Sequence, residues 1–591
     1  MKNVIFITID AFCYKNLKLK VGNYEVTPFL NKLSEKSLHF NNMYSQAPYT
    51  EASLVNILGC ERTLENGGYL FGNGNVEKTL FSYYKQYGYR TISVYSPYVY
   101  SKGYLREVDA FYFSRIYSIQ PLFHYRFSWY RAKVNTRKLL EEEYKVCMIL
   151  LEEAFETWQQ QCEMILNGNK EVCLLLDTIA SIEQIEKVKN ILQKEIAIYR
   201  NNKKLYINNI LKKWKEHILI ETDRLYNRKK KLALKEILIK KYNPKLEIYQ
   251  NKYSQILRKE KIDWAYITEM MLSNNFRDAI NLLRHYYLYY KNNSLKNYFK
   301  DIDENSKTEV DMEKLFSSFF QDIVSMDMAN KKYFTYIHVQ DFHLPSVFHS
   351  VNSEDINMIN SEMNVMFELL SSIDDSFKGN IIAALSARYC DLKIQNFFNL
   401  LKKNLKEDFI FVITADHGYP CYGNPPRPHI YNQTYTEAFH IPMIIYDESN
   451  EKEQSIDDIK TNIDGIKKLN NLADIYDEYI EYANDYVLIE HAGPGCPIIT
   501  EKDIWYTLID NKYRISVECM LKEEVCERNI VAVYDLVNDP SEKFNILKEF
   551  KTKSNLKKYL EIFQMRHACL QKKNKDFYKK MIDGLEENNN V

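Results

Sequence analysis

The 591-residue chain has no Cys-x-x-Cys pair and no excess of either charge. It also lacks any apolar run near the ~20 residues that cross a bilayer. Its 11 cysteines are scattered and odd in number, which fits reduced thiols better than a disulfide framework. Lys+Arg and Asp+Glu stand at 79 each, so nothing draws the whole molecule toward nucleic acid or an anionic membrane. An anionic partner must therefore be held by a local site. The opening MKNVIFITID enters a strand pattern directly, without the charged and apolar regions of a signal peptide. The expected location is cytoplasmic. Glycine is scarce, with 16 in all and none between Gly168 and Gly379, which argues against a turn-rich sheet over that stretch. Disorder is not the expectation either, since 46% of the residues are hydrophobic and 27% charged.

What is present divides the chain by texture. Residues 1–116 alternate short apolar runs with turns: a buried strand at Val4–Ile9, helices from Pro28 and Leu80, and a strand at Thr91–Tyr95. Residues 117–330 carry apolar positions at spacings of three and four, among them Ile185, Val188, Leu192, Ile207, Ile210 and Trp214. This predicts a long helical insertion, coiled-coil-like, as an antiparallel hairpin or small bundle. Such an arm either binds a partner, with self-association as one form, or packs on itself; amphipathic stripes favour packing. Residues 331–485 return to strand and helix, with strands at Tyr333–Val339, Phe409–Thr414 and Ile441–Tyr446. Residues 486–585 suggest a small antiparallel C-terminal subdomain, and 586–591 a disordered tail. The fold class expected is α/β.

In an α/β sheet, ligands bind beyond the carboxyl ends of the strands. Asp10 follows Val4–Ile9, Asp416 and His417 follow Phe409–Thr414, and His338, Asp341 and His343 end Tyr333–Val339. A lone Asp there is usually a helix cap, but three such strand ends together suggest a metal site. Carboxylate and imidazole donors suit Zn or Mn, and oxygen-rich sites suit Mg or Ca. Thr50 follows Ala47-Pro48 and precedes the apolar run Ala52–Leu58, placing it near a helix N-terminus that favours an anion. It reads either as a nucleophile activated by metal or as an N-cap, with Ser53 a second capping candidate.

These segments, in this order, resemble the sulfatase-like branch of the alkaline phosphatase superfamily over nearly the whole chain apart from the insertion. NVIFITIDAF is similar to that family's opening strand with its metal-binding acid, HVQDFHLP to its substrate-binding histidine loop, and ITADHG to its Asp-His metal pair. YDLVNDPSEKFNI is similar to the segment closing its C-terminal subdomain. The resemblance implies an alkaline-phosphatase-like mixed sheet flanked by helices. It implies one metal held by Asp10, Thr50, Asp416 and His417, with His343 contacting the anion or the leaving group. His429 and His440 are further candidates for the same face or a second metal, His491 could close the site, and Asp341 is either a ligand or the group orienting His343. The departures are specific. Thr50-Glu51-Ala52-Ser53-Leu54 stands where sulfatases carry C/S-x-P-x-R, and threonine cannot become formylglycine. Ala11 replaces the usual second acid, and Tyr95-Ser96-Pro97-Tyr98 replaces an expected lysine and histidine.

The Thr version resembles the phosphoethanolamine and glycerol-phosphate transferases and phosphodiesterases of the superfamily. The expected function is a metal-dependent hydrolase or transferase of phosphate (di)esters through a Thr50 covalent intermediate. Its partner would be an anionic ester, a saccharide or lipid head group, with neither nucleic acid nor a transmembrane segment involved. The alternatives are a sulfuric ester hydrolase without formylglycine and a non-catalytic helical scaffold.

Overall fold

The computed structural model describes residues 1–21, 24–65, 76, 78–94, 107–113, 127, 130–131, 133–134, 138–168, 171–174, 182–213, 216–219, 312–342, 381–419, 435–475, 485–492, 503–551 and 556–588. Nine strands form one mixed sheet. They are β1 (Asn3–Ile9), β2 (Leu38–Phe40), β3 (Arg90–Val94), β4 (Ala110–Phe113), β5 (Glu171–Leu174), β6 (Tyr333–Val339), β7 (Phe409–Ala415), β8 (Met443–Asp447) and β9 (Gln454–Ile456). Their order across the sheet is β9-β2-β8-β7-β1-β6-β3-β4-β5. The run from β7 to β5 is parallel, and β8 pairs antiparallel with β7. Every residue of β1, β6 and β7 is buried, as continuous apolar runs require when helices cover both faces of a parallel sheet.

The helices follow from their stripes. Those longer than four residues among the described residues are α1 (Pro28–Ser34), α2 (Thr50–Gly59), α3 (Leu80–Gln86), α4 (Glu141–Asn167), α5 (Ile182–Asn201), α6 (Lys203–Lys212), α7 (Met312–Met328), α8 (Ile381–Asn404), α9 (Asn462–Leu472) and α10 (Leu556–Asn588). Thr79 starts α3 with a reciprocal capping box to Ser82. Asp391 on α8 accepts the amides of Phe29 and Leu30 and so fixes the start of α1 on α8. In the C-terminal unit, β10 (Tyr486–His491), β11 (Asp503–Asp510), β12 (Tyr513–Met520) and β13 (Ile530–Asp535) form an antiparallel meander. α10 lies against it through Tyr559, Phe563 and Leu570.

Within 117–330 three features differ from the sequence reading. α4 packs against α5 and α6, and α5 against α6, as a small bundle. The bundle does not pack on itself alone: its buried side chains belong to one cluster with α2, the C-terminal meander and α10. The stretch also supplies a strand. Gly168 ends α4 at φ 62°, a left-handed conformation that suits glycine, and the chain turns into β5 at the edge of the main sheet. Finally, α7 belongs to the sheet layer: Leu315, Phe316, Phe319 and Ile323 join the main core, with Phe316 stacked on Phe397 at 4.2 Å. At the other end, α10 continues to Asn588, past the point where a tail was expected, because it extends a helix already anchored on the meander. Residues 589–591 lie outside the described residues. Among the described residues no helix is long and apolar enough to cross a membrane.

One buried ion pair fastens α10 to the rest. The guanidinium of Arg566 forks onto Glu490 of β10, with Nε–Oε2 and Nη2–Oε1 both 2.6 Å, and Nη1 reaches Glu65 at 2.8 Å. Glu490 also accepts the amide of Leu64 at 3.2 Å. Burial alone would raise the Glu490 carboxyl, but the Arg566 charge and hydrogen bonds outweigh it and hold it below its ordinary value. A depressed carboxyl contributes stability above its unfolded value and loses it as pH falls through the folded value. Arg566→Met strands the buried Glu490 charge and should cost about 3–5 kcal/mol in urea unfolding. Adding Glu490→Leu to that variant should recover much of the loss; no recovery would mean that the pair acts through packing rather than charge.

Candidate active site

Parallel register brings the site together. β1 and β7 pair so that Ile9 lies opposite Ala415, which sets Asp10 and Asp416 side by side just beyond the strand ends. Both are buried, at 1% and 0% exposure. The chain then turns sharply at Ala11, where φ is 63°, and the Ala11 amide donates to Asp416 Oδ1 at 3.0 Å. The His417 amide donates to the same oxygen at 2.8 Å. The other oxygen, Asp416 Oδ2, is buried and has no hydrogen-bond donor among the described residues. A buried carboxylate oxygen left so calls for a further partner, which a cation among the neighbouring donors would supply.

Around that oxygen stand further donors. His417 Nδ1 lies 2.9 Å from the Gly418 carbonyl. A carbonyl only accepts, so Nδ1 carries the proton and Nε2 the lone pair. That Nε2 is 3.7 Å from Asp416 Oδ2, 3.6 Å from Asp10 Oδ1 and 3.4 Å from Thr50 Oγ1. Thr50 Oγ1 is 3.4 Å from each oxygen of Asp10. These separations run from the long end of the hydrogen-bond range to just beyond it. They match the edges, about 3.4 Å, of a tetrahedral shell with arms of about 2.1 Å. Two carboxylates, one imidazole lone pair and one hydroxyl thus fit a divalent cation.

Local sequence explains each placement. Tyr49, in extended backbone, is the N-cap of α2, and no side chain caps the helix. Thr50 is the first helical residue rather than the cap, so its hydroxyl is left to face Asp10. Ser53 turns back instead and donates to the Tyr49 carbonyl at 3.0 Å. Ser45 donates to the Asp416 carbonyl at 2.5 Å and ties the approach to α2 to the end of β7. Gly418 passes so close to residue 437 that a Cβ would stand 2.1 Å from the Glu437 carbonyl oxygen, which only glycine avoids. Cys13, the nearest cysteine in sequence to Asp10, is buried and pushed up to about 12 by desolvation, then by Glu437, which makes it a poor nucleophile.

The remaining sequence candidates fall differently. His343 and His429 lie outside the described residues. His440 stands away from the carboxylates: its Nε2 donates to the Asn41 carbonyl at 2.7 Å, and its ring stacks on Tyr14 and Tyr44. Burial lowers its pKa to about 4. Asp341 accepts the Met312 amide at 3.1 Å and so caps the start of α7, the ordinary use of an acid after a strand. His491 ends β10 with its ring edge-on to Tyr49 at 6.1 Å, one residue from Thr50. The residue that the sequence reading named without a role is His338. It is fully buried, with Nε2 3.3 Å from Asp10 Oδ2, and its donor atom lies within 4.8 Å of those of Asp10 and Asp416. The signal was there: an imidazole inside an otherwise uncharged, buried strand, YFTYIHV. Burial opposes its protonation, but the Asp10 hydrogen bond and the charges of Asp10 and Asp416 outweigh that and raise it above its ordinary value.

A family model described as Sulfatase matches residues 2–154 and 239–475. This chain belongs to the sulfatase family. Members of that family bind a divalent metal, in keeping with the buried Asp and His donors. The unmatched residues 155–238 fall within the helical insertion of this sulfatase-family chain. No curated protein matches the sequence. Among solved structures the chain is similar to a phosphonate monoester hydrolase from Silicibacter pomeroyi (11% identity, TM-score 0.45, covering 96% of each chain). It is also similar to a 2-O GAG sulfatase (11% identity, TM-score 0.40, 99% of this chain and 94% of that one). A third is a protein solved with its substrate D-glucosamine-2-N,6-O-disulfate (13% identity, TM-score 0.42, 97% of this chain and 98% of that one). Likeness at this level says nothing of the reaction.

Loading with zinc should raise the melting temperature, since a cation bound at about 100 times its Kd adds roughly 2.7 kcal/mol. Asp416→Asn should abolish that increase while leaving the metal-free melting temperature within a few degrees or higher, because one buried charge is removed. An undiminished zinc shift in Asp416→Asn would exclude Asp416 as a ligand.

Proposed function

We propose that this sulfatase-family hydrolase is a metal-dependent phosphoester hydrolase or phosphotransferase with Thr50 as its nucleophile. The observation that carries the reading is the Thr50 hydroxyl, 3.4 Å from both Asp10 oxygens and from His417 Nε2, at the uncapped start of a ten-residue helix. Asp10, Thr50, Asp416 and His417 would hold one cation, and the nitrogen in the set suits Zn or Mn over Mg or Ca. Bound there, the cation would supply the charge that acidifies the Thr50 hydroxyl and offsets that of the ester. The start of α2 adds its own positive end, directed at an anion seated on Thr50.

On this reading the Thr50 hydroxyl gives up its proton to solvent, Oγ1 attacks phosphorus in line, and the bond from phosphorus to the leaving oxygen breaks as that oxygen takes a proton from His343. Water or an acceptor hydroxyl then attacks the phosphothreonine and frees Oγ1. The substrate class is an anionic ester on a saccharide or lipid head group. The second reading, a sulfuric ester hydrolase that works without formylglycine, is favoured by the family match itself. A silent scaffold is disfavoured by the set of buried donors, which costs stability for no structural return.

Thr50→Ala should keep the fold and zinc uptake but lower turnover of a phosphodiester by several orders of magnitude. Thr50→Ser should retain partial activity, because only the methyl is lost. Acid quenching of wild type during turnover should leave phosphate on the peptide containing Thr50. Wild-type turnover by Thr50→Ala would exclude the nucleophile. Hydrolysis of an aryl sulfate in preference to a phosphodiester would favour the second reading.

A further inference from the structure

Two histidines stand beside Asp10, and their outer nitrogens have different partners. His417 Nδ1 donates to a carbonyl, Gly418 O, at 2.9 Å, which leaves a lone pair on Nε2. Ligating histidines usually take this form, with the outer N–H held by a carbonyl, a carboxylate or water. His338 differs. Its Nδ1 lies 3.4 Å from the hydroxyl of Tyr336, which can donate, and its Nε2 lies 3.3 Å from Asp10 Oδ2, which can only accept. The arrangement that satisfies both contacts places the proton on Nε2 and the Tyr336 hydrogen on Nδ1. A protonated Nε2 offers no lone pair to a cation.

A second observation concerns the same oxygen. Gln340 Nε2, an amide donor, is 3.5 Å from Asp10 Oδ2. Tyr336, His338 and Gln340 alternate along β6 and its continuation, and residues two apart share one face of a strand. That face therefore turns two N–H donors onto Oδ2. His417 approaches the other oxygen, Oδ1, at 3.6 Å.

We infer that His338 is a positioning residue that donates to Asp10 with its tautomer set by Tyr336, not a ligand of the cation, and that Gln340 assists it. The inference rests on the reading that Asp10 binds a divalent cation. With Oδ2 held from the β6 side, the carboxylate is kept from swinging, and Oδ1 stays turned toward His417.

The test is X-ray absorption on zinc-loaded full-length chain, counting imidazoles per zinc, with zinc affinity from chelator competition. Wild type and His338→Gln should give the same count. His338→Gln keeps a side-chain donor and should lose less than about tenfold in affinity, while His338→Ala should lose roughly 10–100-fold. Tyr336→Phe should weaken zinc with the count unchanged. Loss of one imidazole per zinc in His338→Gln overturns this inference and leaves the metal site standing. A wild-type chain that takes up no zinc overturns both. If the His338 variants do not fold, imidazole 15N signals decide. The ring whose signals move in Tyr336→Phe should show a protonated Nε2 in zinc-loaded protein, and a zinc-shifted Nε2 on that ring overturns the inference.

Discussion

Two carboxylates with almost no exposure, Asp10 and Asp416, are set beside one another by the register of β1 on β7, and much of the surrounding structure is arranged about that conflict. Their donor atoms lie within 4.8 Å of one another, so two full charges would repel by on the order of 3 kcal/mol at an effective dielectric of about 20. Backbone amides absorb part of it: Ala11 and His417 both donate to Asp416 Oδ1. The left-handed turn at Ala11 is the price of aiming its amide inward. Among the described residues, no such donor reaches the other oxygen of Asp416. A protein that builds this has committed stability to binding a cation, which is why the arrangement argues for chemistry rather than for packing.

The helix that presents Thr50 is held from the side remote from the main sheet. The Glu490 amide donates to the Gln46 carbonyl at 3.3 Å, and His491 sets its ring against Tyr49, so β10 touches the chain on both of the residues that lead into α2. Glu490 in turn is fixed by Arg566 of α10. The C-terminal unit is thus no appendage. It forms one wall of the loop that sets the height of Thr50 above Asp10, and the helical bundle shares its hydrophobic cluster.

Much of this could be read in the sequence because the strands that matter are buried on both faces, and such runs are unmistakable. Val4–Ile9, Tyr333–Val339 and Phe409–Thr414 were placed to within a residue or so, and the polar residues at their ends followed. Pairing is harder. No local pattern shows that β5 would close the sheet edge, since four residues among helices carry little periodicity. Nor does sequence say whether an acid after a strand faces a ligand or caps a helix: Asp416 and Asp341 look alike, and it is the neighbours that separate them, Asp10 and His417 for the first and the start of α7 for the second. His338 was passed over because strand alternation gives its face but not its neighbour. That neighbour, Asp10, is 328 residues away in sequence.

The departures from the formylglycine pattern reinforce one another. Where the pattern places an oxidisable residue there is Thr50, and where it places an arginine there is Leu54, buried at 3% in the main core beside Ile57 and Leu58. Loss of the first alone would leave a site built for a modified residue but unable to form it. Absence of the second leaves a buried apolar side chain where the pattern carries a fixed positive charge. On the function proposed above, one fixed positive charge fewer suits a singly charged ester, a phosphodiester or a sulfate monoester alike, better than a doubly charged phosphate monoester, because each additional negative charge must be balanced within a desolvated site. On that same proposal the cation and the start of α2 would carry the electrostatic load that the pattern divides among more groups.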